Sequence, residues 1–351
     1  MRIKKQAAVI LLMLLTSVSL TGCLGGSGSG KRTGKGMEAI EQKEYKTALL
    51  NFQEAVEKGE DKVMAYRGAG IAYMGLSRYE EAIRAFDAAL EYSDQKMPNT
   101  VNDILLYEAT AQFNLGAFDD AILSCDRILE QEAVADAYFI RGASCLECGY
   151  QERAKEDFDA AVALNSQDYS LYLNIYERYE KANFSAIGDK YLQTALSIPP
   201  KEVQDYYKIG QIYYYLGQYQ QAQSVLIDAV DQNYVPAMYL MGRIYLEQED
   251  YVHARGIYES IREKDGESPE NYNGLVLCSI ATGNYSEALD YIAKGLSLEG
   301  EEGKQGLYFN EIVVYEEMRD FATAKVKAEQ YVEKYPSDEA GQKEWMFLSN
   351  R

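Results

Sequence analysis

Apolar and small residues in this chain recur in columns at a near-constant interval. One column is small: Ala48, Ala82, Ala121, Ala154, Gly188, Ala222, Ala254, Ala288 and Ala324, at intervals of 34, 39, 33, 34, 34, 32, 34 and 36 residues. Three positions before it stands an aromatic in seven of the nine repeats: Tyr45, Tyr79, Phe118, Tyr219, Tyr251, Tyr285 and Phe321. Twelve before it, six of nine carry Gly36, Gly70, Ala109, Gly142, Gly210 or Gly242, and sixteen before it, six of the last eight carry Tyr. Breakers such as Gly116, Gly149, Gly217 and Gly283 fall between the columns, where turns belong. Val, Ile and Thr do not alternate with polar residues as in half-buried strands, so a β-rich architecture is excluded. The pattern predicts pairs of helices that approach where side chains are small, Gly70 facing Ala82 and Gly210 facing Ala222. Bulky aromatics then fill the space between these contacts.

A period of 34 with these columns resembles the tetratricopeptide repeat. The resemblance covers residues 30–336, with Pro200 and Pro336 at the family's repeat-end position. It implies an all-α fold, an α-solenoid of about nine helix-turn-helix repeats over residues 36–336 forming a right-handed superhelix. Residues 337–351 (SDEAGQKEWMFLSNR) read as a C-terminal capping helix, started by Ser337 and covering the last repeat with Trp345 and Phe347. Solenoids need such ends because each repeat buries its apolar face only against neighbours. Three departures carry expectations of their own. The fifth repeat has Gly188 for Ala, Tyr176 for a small residue and no turn Gly, so its helix pair is expected to splay or kink. The interval of 39 places a short inserted loop at Ser93–Thr100. The first repeat starts inside a Gly-rich stretch, so its first helix is expected to be short or frayed.

The N-terminus follows a different pattern. Arg2, Lys4 and Lys5 precede the apolar run Ala7–Leu20, which is shorter than the roughly 20 residues of a spanning helix and reads as a cleaved signal over residues 1–22. Leu20-Thr21-Gly22-Cys23 resembles the lipobox of bacterial lipoproteins. That resemblance implies a diacylglycerol thioether on Cys23, whose two acyl chains would anchor the protein stably to the extracytoplasmic face of a cell membrane. Residues 23–35 would then hold the lipidated Cys23 and a Gly/Ser-rich linker.

The whole chain carries 55 acidic and 35 basic residues, a formal charge of −20 that becomes −23 once the three basic residues of the signal leave. Nucleic acid is therefore not an expected partner, since phosphate attracts clustered Lys and Arg. Catalytic chemistry is also not expected. His253 is the only histidine, and no Ser-His-Asp or Cys-His set can be assembled beyond it. Cys145 and Cys148 form a CxxC, but Cys145 occupies a core column and a zinc site needs two further ligands. A Cys125–Cys145 disulfide is geometrically conceivable in an oxidising envelope; buried thiols are the reading adopted. No cofactor and no metal are expected.

What remains is the groove that the resemblance implies, lined by first helices. One row reads Arg67, Leu106, Phe139, Leu173, Tyr207, Tyr239, Asn273 and Phe309. A second reads Ile71, Thr110, Ala143, Glu177, Gln211, Arg243, Leu277 and Val313. A third reads Met74, Phe113, Leu146, Glu180, Tyr214, Leu246, Ile280 and Glu316. Members of the family that clamp a C-terminal carboxylate place Asn in the second row, and this chain has none there. A contiguous apolar and aromatic stripe fits an extended or amphipathic protein segment, with basic segments favoured by the acidic body. The candidate peptide-binding residues are Phe113, Phe139, Tyr207, Gln211, Tyr214, Tyr239 and Arg243. An adaptor or assembly scaffold is the resulting functional expectation, with capture of glycans or other small ligands as the alternative.

Overall fold

The computed structural model describes residues 30–93 and 98–351, and the signal and Cys23 lie outside them. The described residues form nineteen helices and no strand. They divide into two compact units at Gly188/Asp189. The first unit contains α1 (Lys31–Glu41), α2 (Tyr45–Glu57), α3 (Lys62–Gly75), α4 (Tyr79–Tyr92), α5 (Pro98–Leu115), α6 (Phe118–Leu129), α7 (Ala135–Glu147), α8 (Gln151–Leu164) and α9 (Tyr169–Lys181). Helix α10 (Ser185–Ala195) spans the division. The second unit continues with α11 (Val203–Tyr215), α12 (Tyr219–Asp231), α13 (Val235–Glu247), α14 (Tyr251–Asp265), α15 (Pro269–Ala281), α16 (Tyr285–Ser297), α17 (Gln305–Glu317), α18 (Phe321–Lys334) and α19 (Glu339–Ser349). Within each unit successive helices pack as hairpins, and first helices also touch the first helix of the next hairpin.

The small column is fully buried, as Ala48, Ala82, Ala222 and Ala324 illustrate. The glycines that face it also make room for a larger side chain. A Cβ on Gly70 would collide with Phe86, one on Gly142 with Phe158, and one on Gly210 with Leu226. The glycine thus makes room for the large side chain one turn beyond the Ala. At Gly142 the Ala154 carbonyl comes close as well. The same large residue reaches into the next hairpin. Phe52 sits between Gly36 of its own repeat and Gly68 of the following one, and Tyr258 sits likewise between Gly242 and Gly274. A ring held between two glycines ties each hairpin to its neighbour, and burying such a side chain contributes on the order of 1.5–3 kcal/mol. Cys125 occupies this position in the third repeat and is fully buried.

Every hairpin turns through a left-handed residue five positions before the small column. Four are Gly116, Gly149, Gly217 and Gly283, and five are not glycine: Lys43, Ser77, Asn183, Glu249 and Arg319, with φ between 56° and 63°. The reason is the same in all. The turn residue donates its N–H three residues back and the next residue donates five back, as in Glu249 N to Leu246 O (3.1 Å) and Asp250 N to Tyr245 O (2.9 Å). This closure satisfies orphan carbonyls and requires left-handed backbone whatever the side chain.

The departures resolve individually. In the fifth repeat Asn183 supplies the turn, and the size exchange between Gly188 and Tyr176 preserves a close contact: a Cβ on Gly188 would lie 3.2 Å from Tyr176 Cα. The insertion of 39 is largely absorbed by helix, because α5 runs 18 residues from Pro98, whose fixed φ suits the first helical position. Helix α1 begins at Lys31, inside the stretch read as linker. It has no cap of its own. Glu60, on the α2–α3 turn, accepts from Arg32 N (3.0 Å), Thr33 N (3.0 Å) and Thr33 Oγ1 (3.0 Å), so a distant carboxylate satisfies the helix start. Asp338, not Ser337, caps α19, accepting from Ala340 N and Gly341 N. Trp345 packs partly buried on the last hairpin, whereas Phe347 is exposed and meets the Arg351 guanidinium.

One buried polar chain crosses α5 and α6. Ser124 Oγ donates to Gln112 Oε1 (2.9 Å), and Gln112 Nε2 donates to Glu108 Oε1 (2.9 Å). Glu108 Oε2 is buried without a hydrogen-bond partner. Burial, then the negative Asp87, raises the Glu108 carboxyl to about 7 against the lowering effect of Arg127.

Candidate functional site

The three groove rows do not have one character. On α5 and α7 of the first unit they are mostly closed, whereas Arg67, Ile71 and Met74 of α3 and Leu173 and Glu177 of α9 are half-buried. Phe139 is 4% exposed and packs on Phe158 (5.8 Å between ring centroids), and Phe113 is 9% exposed, edge-on to Phe118. Ala143, Leu146 and Thr110 are buried with them. The cause is close packing of α5, α7 and α9, with Arg178 of α9 placed 5.6 Å over the ring of Phe113. Phe113 and Phe139 are therefore core residues, and their assignment as peptide contacts is corrected.

The second unit brings the other five candidates together on adjoining first helices. Tyr207, Gln211 and Tyr214 lie one turn apart along α11, and Tyr239 and Arg243 lie one turn apart along α13. All five are half-buried. Gln211 Nε2 donates to the Tyr207 hydroxyl (3.1 Å), and the Tyr207 ring meets Tyr234 edge-on at 5.7 Å. Tyr214 is held twice: the Arg243 guanidinium lies 5.0 Å over its ring, and its hydroxyl donates to Glu247 Oε1 at 3.3 Å. A cation over an aromatic face is worth about 0.5–2 kcal/mol depending on desolvation. Tyr239 shares a 2.9 Å hydrogen bond with Ser268 and tilts against Tyr258. Tyr213 packs against the core cluster of Leu226 and Ile244, and Tyr207 and Tyr214 also rest partly on it.

Electrostatically the patch is neutral phenol around one cation. Burial pushes Tyr207 and Tyr214 up to about 12, and the Arg243 charge opposes the shift at both. Neither phenol ionises at neutral pH, and the patch presents hydroxyls, ring faces and a guanidinium. On α15 the stripe continues through the half-buried Leu277, while Asn273 accepts from Asn310 Nδ2 (2.7 Å). Tyr234 and Glu247 were not among the candidates. Tyr234 sits in the turn before α13, outside every column, and Glu247 lies one turn beyond Arg243.

The remaining chemical groups are engaged elsewhere. His253 is exposed, its Nδ1 2.7 Å from Asp250 Oδ2 and its ring stacked on Tyr245. Cys125, Cys145, Cys148 and Cys278 are free, and burial pushes the thiols of Cys125 and Cys145 up. Among the described residues no group of three or more His, Cys, Asp or Glu is placed to hold a metal, and no helix is long and apolar enough to cross a membrane. An open cleft of about 530 Å³ lies on the first unit between Lys46, Leu49, Leu50, Gln53, Leu76 and Arg78, away from the predicted rows.

Models of the tetratricopeptide repeat match residues 33–99 and 207–269, and a second such model matches residues 135–168. These segments are similar to tetratricopeptide repeats. The nine-column register places the remaining hairpins in the same geometry, with turns and small contacts at matching positions. A tetratricopeptide repeat protein from Parabacteroides merdae ATCC 43184 is similar in fold: TM-score 0.52 and 14% identity, covering 82% of this chain and 99% of that one. A monomeric mutant of IFIT1, solved with Gppp-AAAA, gives TM-score 0.50 and 15% identity, covering 89% of this chain and 79% of that one. At such identities the likeness is of fold. No curated protein matches the sequence significantly. The repeats make a scaffold of the kind that typically serves protein interaction, and α11 and α13 carry its half-buried Tyr207, Tyr214 and Tyr239.

Proposed function

We propose that the protein is a membrane-anchored envelope lipoprotein whose repeats hold segments of other proteins, acting as an adaptor or assembly scaffold. One observation carries the binding part: Tyr207, Gln211, Tyr214, Tyr239 and Arg243 form a half-exposed cluster on two adjoining first helices, while the equivalent residues of α5 and α7 are packed away. Rigid aromatics with hydroxyls lose little conformational entropy on binding and bury large areas, which suits recognition of a polypeptide. The net charge of the body favours approach by cationic surfaces and keeps the scaffold soluble.

The anchoring part rests on Cys23 and the lipobox-like Leu20–Cys23, so its test is separate. Cys23→Ser should abolish lipid labelling and release the protein from the membrane fraction; unchanged fractionation refutes anchoring. For binding, a photocrosslinking amino acid at Gln211 should give discrete adducts with envelope proteins that the same group at the exposed Leu50 does not. The adducts should disappear when Tyr207, Tyr214 and Tyr239 are changed to Ala. Equal adducts from both positions, or none from position 211, would sink the binding reading.

A further inference from the structure

Five arginines lie on first helices: Arg32, Arg67, Arg141, Arg178 and Arg243. Four of them pair with carboxylates: Arg32 with Glu54, Arg67 with Asp103, Arg141 with Asp126 and Asp157, and Arg178 with Glu177. Arg243 does not. Among the described residues no carboxylate stands within ion-pair distance of it, although acidic residues outnumber basic ones by 55 to 35. Glu247, one turn away on the same helix, is occupied by the Tyr214 hydroxyl instead. The guanidinium lies 5.0 Å over the Tyr214 ring, and among the described residues its N–H donors have no protein acceptor. Beside it, the Tyr207 hydroxyl accepts from Gln211 and keeps its own proton to donate.

A half-buried guanidinium gives up hydration, and on the first helices the other four recover it from carboxylates. We propose that Arg243 is the anchor for an acidic side chain of a bound polypeptide segment, a Glu or Asp flanked by apolar or aromatic residues that lie on Tyr207, Tyr214 and Tyr239. This rests on the binding reading above and names the chemistry of its occupant. The charge of the whole body and the charge at the contact have opposite signs, and they act at different ranges. The net negative field is screened over about 8 Å at physiological ionic strength, whereas a bidentate guanidinium–carboxylate pair forms only at contact. A cationic surface would be drawn in, and one carboxylate within it would set the register. The second-row Asn that marks a C-terminal carboxylate clamp is missing here, so the anionic group comes from a side chain within the segment.

The test uses the full chain in detergent and three fluorescein-labelled libraries of twelve-residue peptides. The libraries share the same mixtures of Leu, Phe and Tyr around a fixed central residue, which is Glu, Gln or Lys. Fluorescence anisotropy should show the Glu library binding at least about tenfold more tightly than the other two, the loss expected for a charge-assisted pair at a partly desolvated site. Arg243→Gln should remove that preference while leaving the residual affinity for the Gln library, and Arg243→Lys should restore only part of it because the planar fork is lost. Helical circular dichroism identical to wild type confirms that the variants are folded. A Gln or Lys library that binds as well as the Glu library overturns the proposal, as does a Glu preference that survives Arg243→Gln. If no library binds while position 211 still crosslinks to envelope proteins, the acidic anchor falls and the binding reading stands. If both fail, both fall.

Discussion

Glu108→Gln should stabilise the protein at alkaline pH and leave it unchanged at acidic pH. Glu108 is 5% exposed, one oxygen accepts from Gln112, and the other has no partner. Burial first and Asp87 of α4 next raise its carboxyl from 4.5 to about 7, Asp120 of α6 adds to this, and Arg127 of α6 opposes it. The folded value lies above the unfolded one, so between these values the folded state holds a proton that the unfolded state has released. Stability therefore falls as pH rises through 4.5 to about 7 and stays low above it. At about 1.36 kcal/mol per pH unit the ceiling is about 3 kcal/mol. Gln keeps the bond from Gln112 but buries an amide N–H₂ where the acid had an O–H, so about 2 kcal/mol is the expected gain at pH 8.5. Urea unfolding followed by circular dichroism at pH 5 and pH 8.5 measures it, since all other carboxylates are common to both proteins. If the two proteins differ by the same amount at both pH values, the account of Glu108 as a protonated core acid is wrong.

Three further outcomes are expected. Gly217→Ala should cost about 1–2 kcal/mol, because the turn needs left-handed backbone (φ 70°), and Glu249→Gly at the equivalent turn should be neutral or stabilising; thermal unfolding compares them. Gly68→Ala should cost about 1–3 kcal/mol by pressing on the fully buried Phe52, measurable as a shift in urea midpoint; an unchanged midpoint would show that the ring is not held. Glu316 of α17 is raised to about 7 by burial and then by Glu344 of α19, with Glu317 adding and Arg351 opposing. By the same sign argument α19 should be held more firmly at pH 6 than at pH 8. Amide exchange over residues 339–349 should slow accordingly, and Glu344→Gln should flatten the pH dependence.

The period was readable because the small column is a steric requirement: no other residue type fits where helices touch, so Ala and Gly repeat. The large side chain that each glycine admits was not readable. Gly70 and Ala82 are adjacent columns on paper, and only the path of the Phe86 ring shows that the glycine yields to a side chain one turn later. Turns were recognised where Gly marked them and overlooked at Lys43, Glu249 and Arg319, because there the closing hydrogen bonds impose the conformation and the side chain bears the strain. The start of α1 was hidden for a related reason. A Gly/Lys/Thr stretch has no cap signal of its own, and Glu60 lies 27 residues from Thr33. At the candidate site, column position told which face a residue occupies but not how tightly the next helix closes over it. Phe139 and Tyr239 share a row, and only Tyr239 remains half-open. The missing partner of Arg243 is invisible in any column, since it is a property of what surrounds the guanidinium.

The carboxylate of Glu60 also decides how the protein bears load. An uncapped terminal helix would peel one turn at a time when the chain ahead of it is pulled. Because Arg32 and Thr33 are fastened to the turn between α2 and α3, tension entering at Gly30 is shared at once with the second hairpin. The three hydrogen bonds are loaded in parallel, so they must yield together before α1 unravels. Pulled from its N-terminal side, the protein meets force with two repeats where its sequence shows only one frayed end.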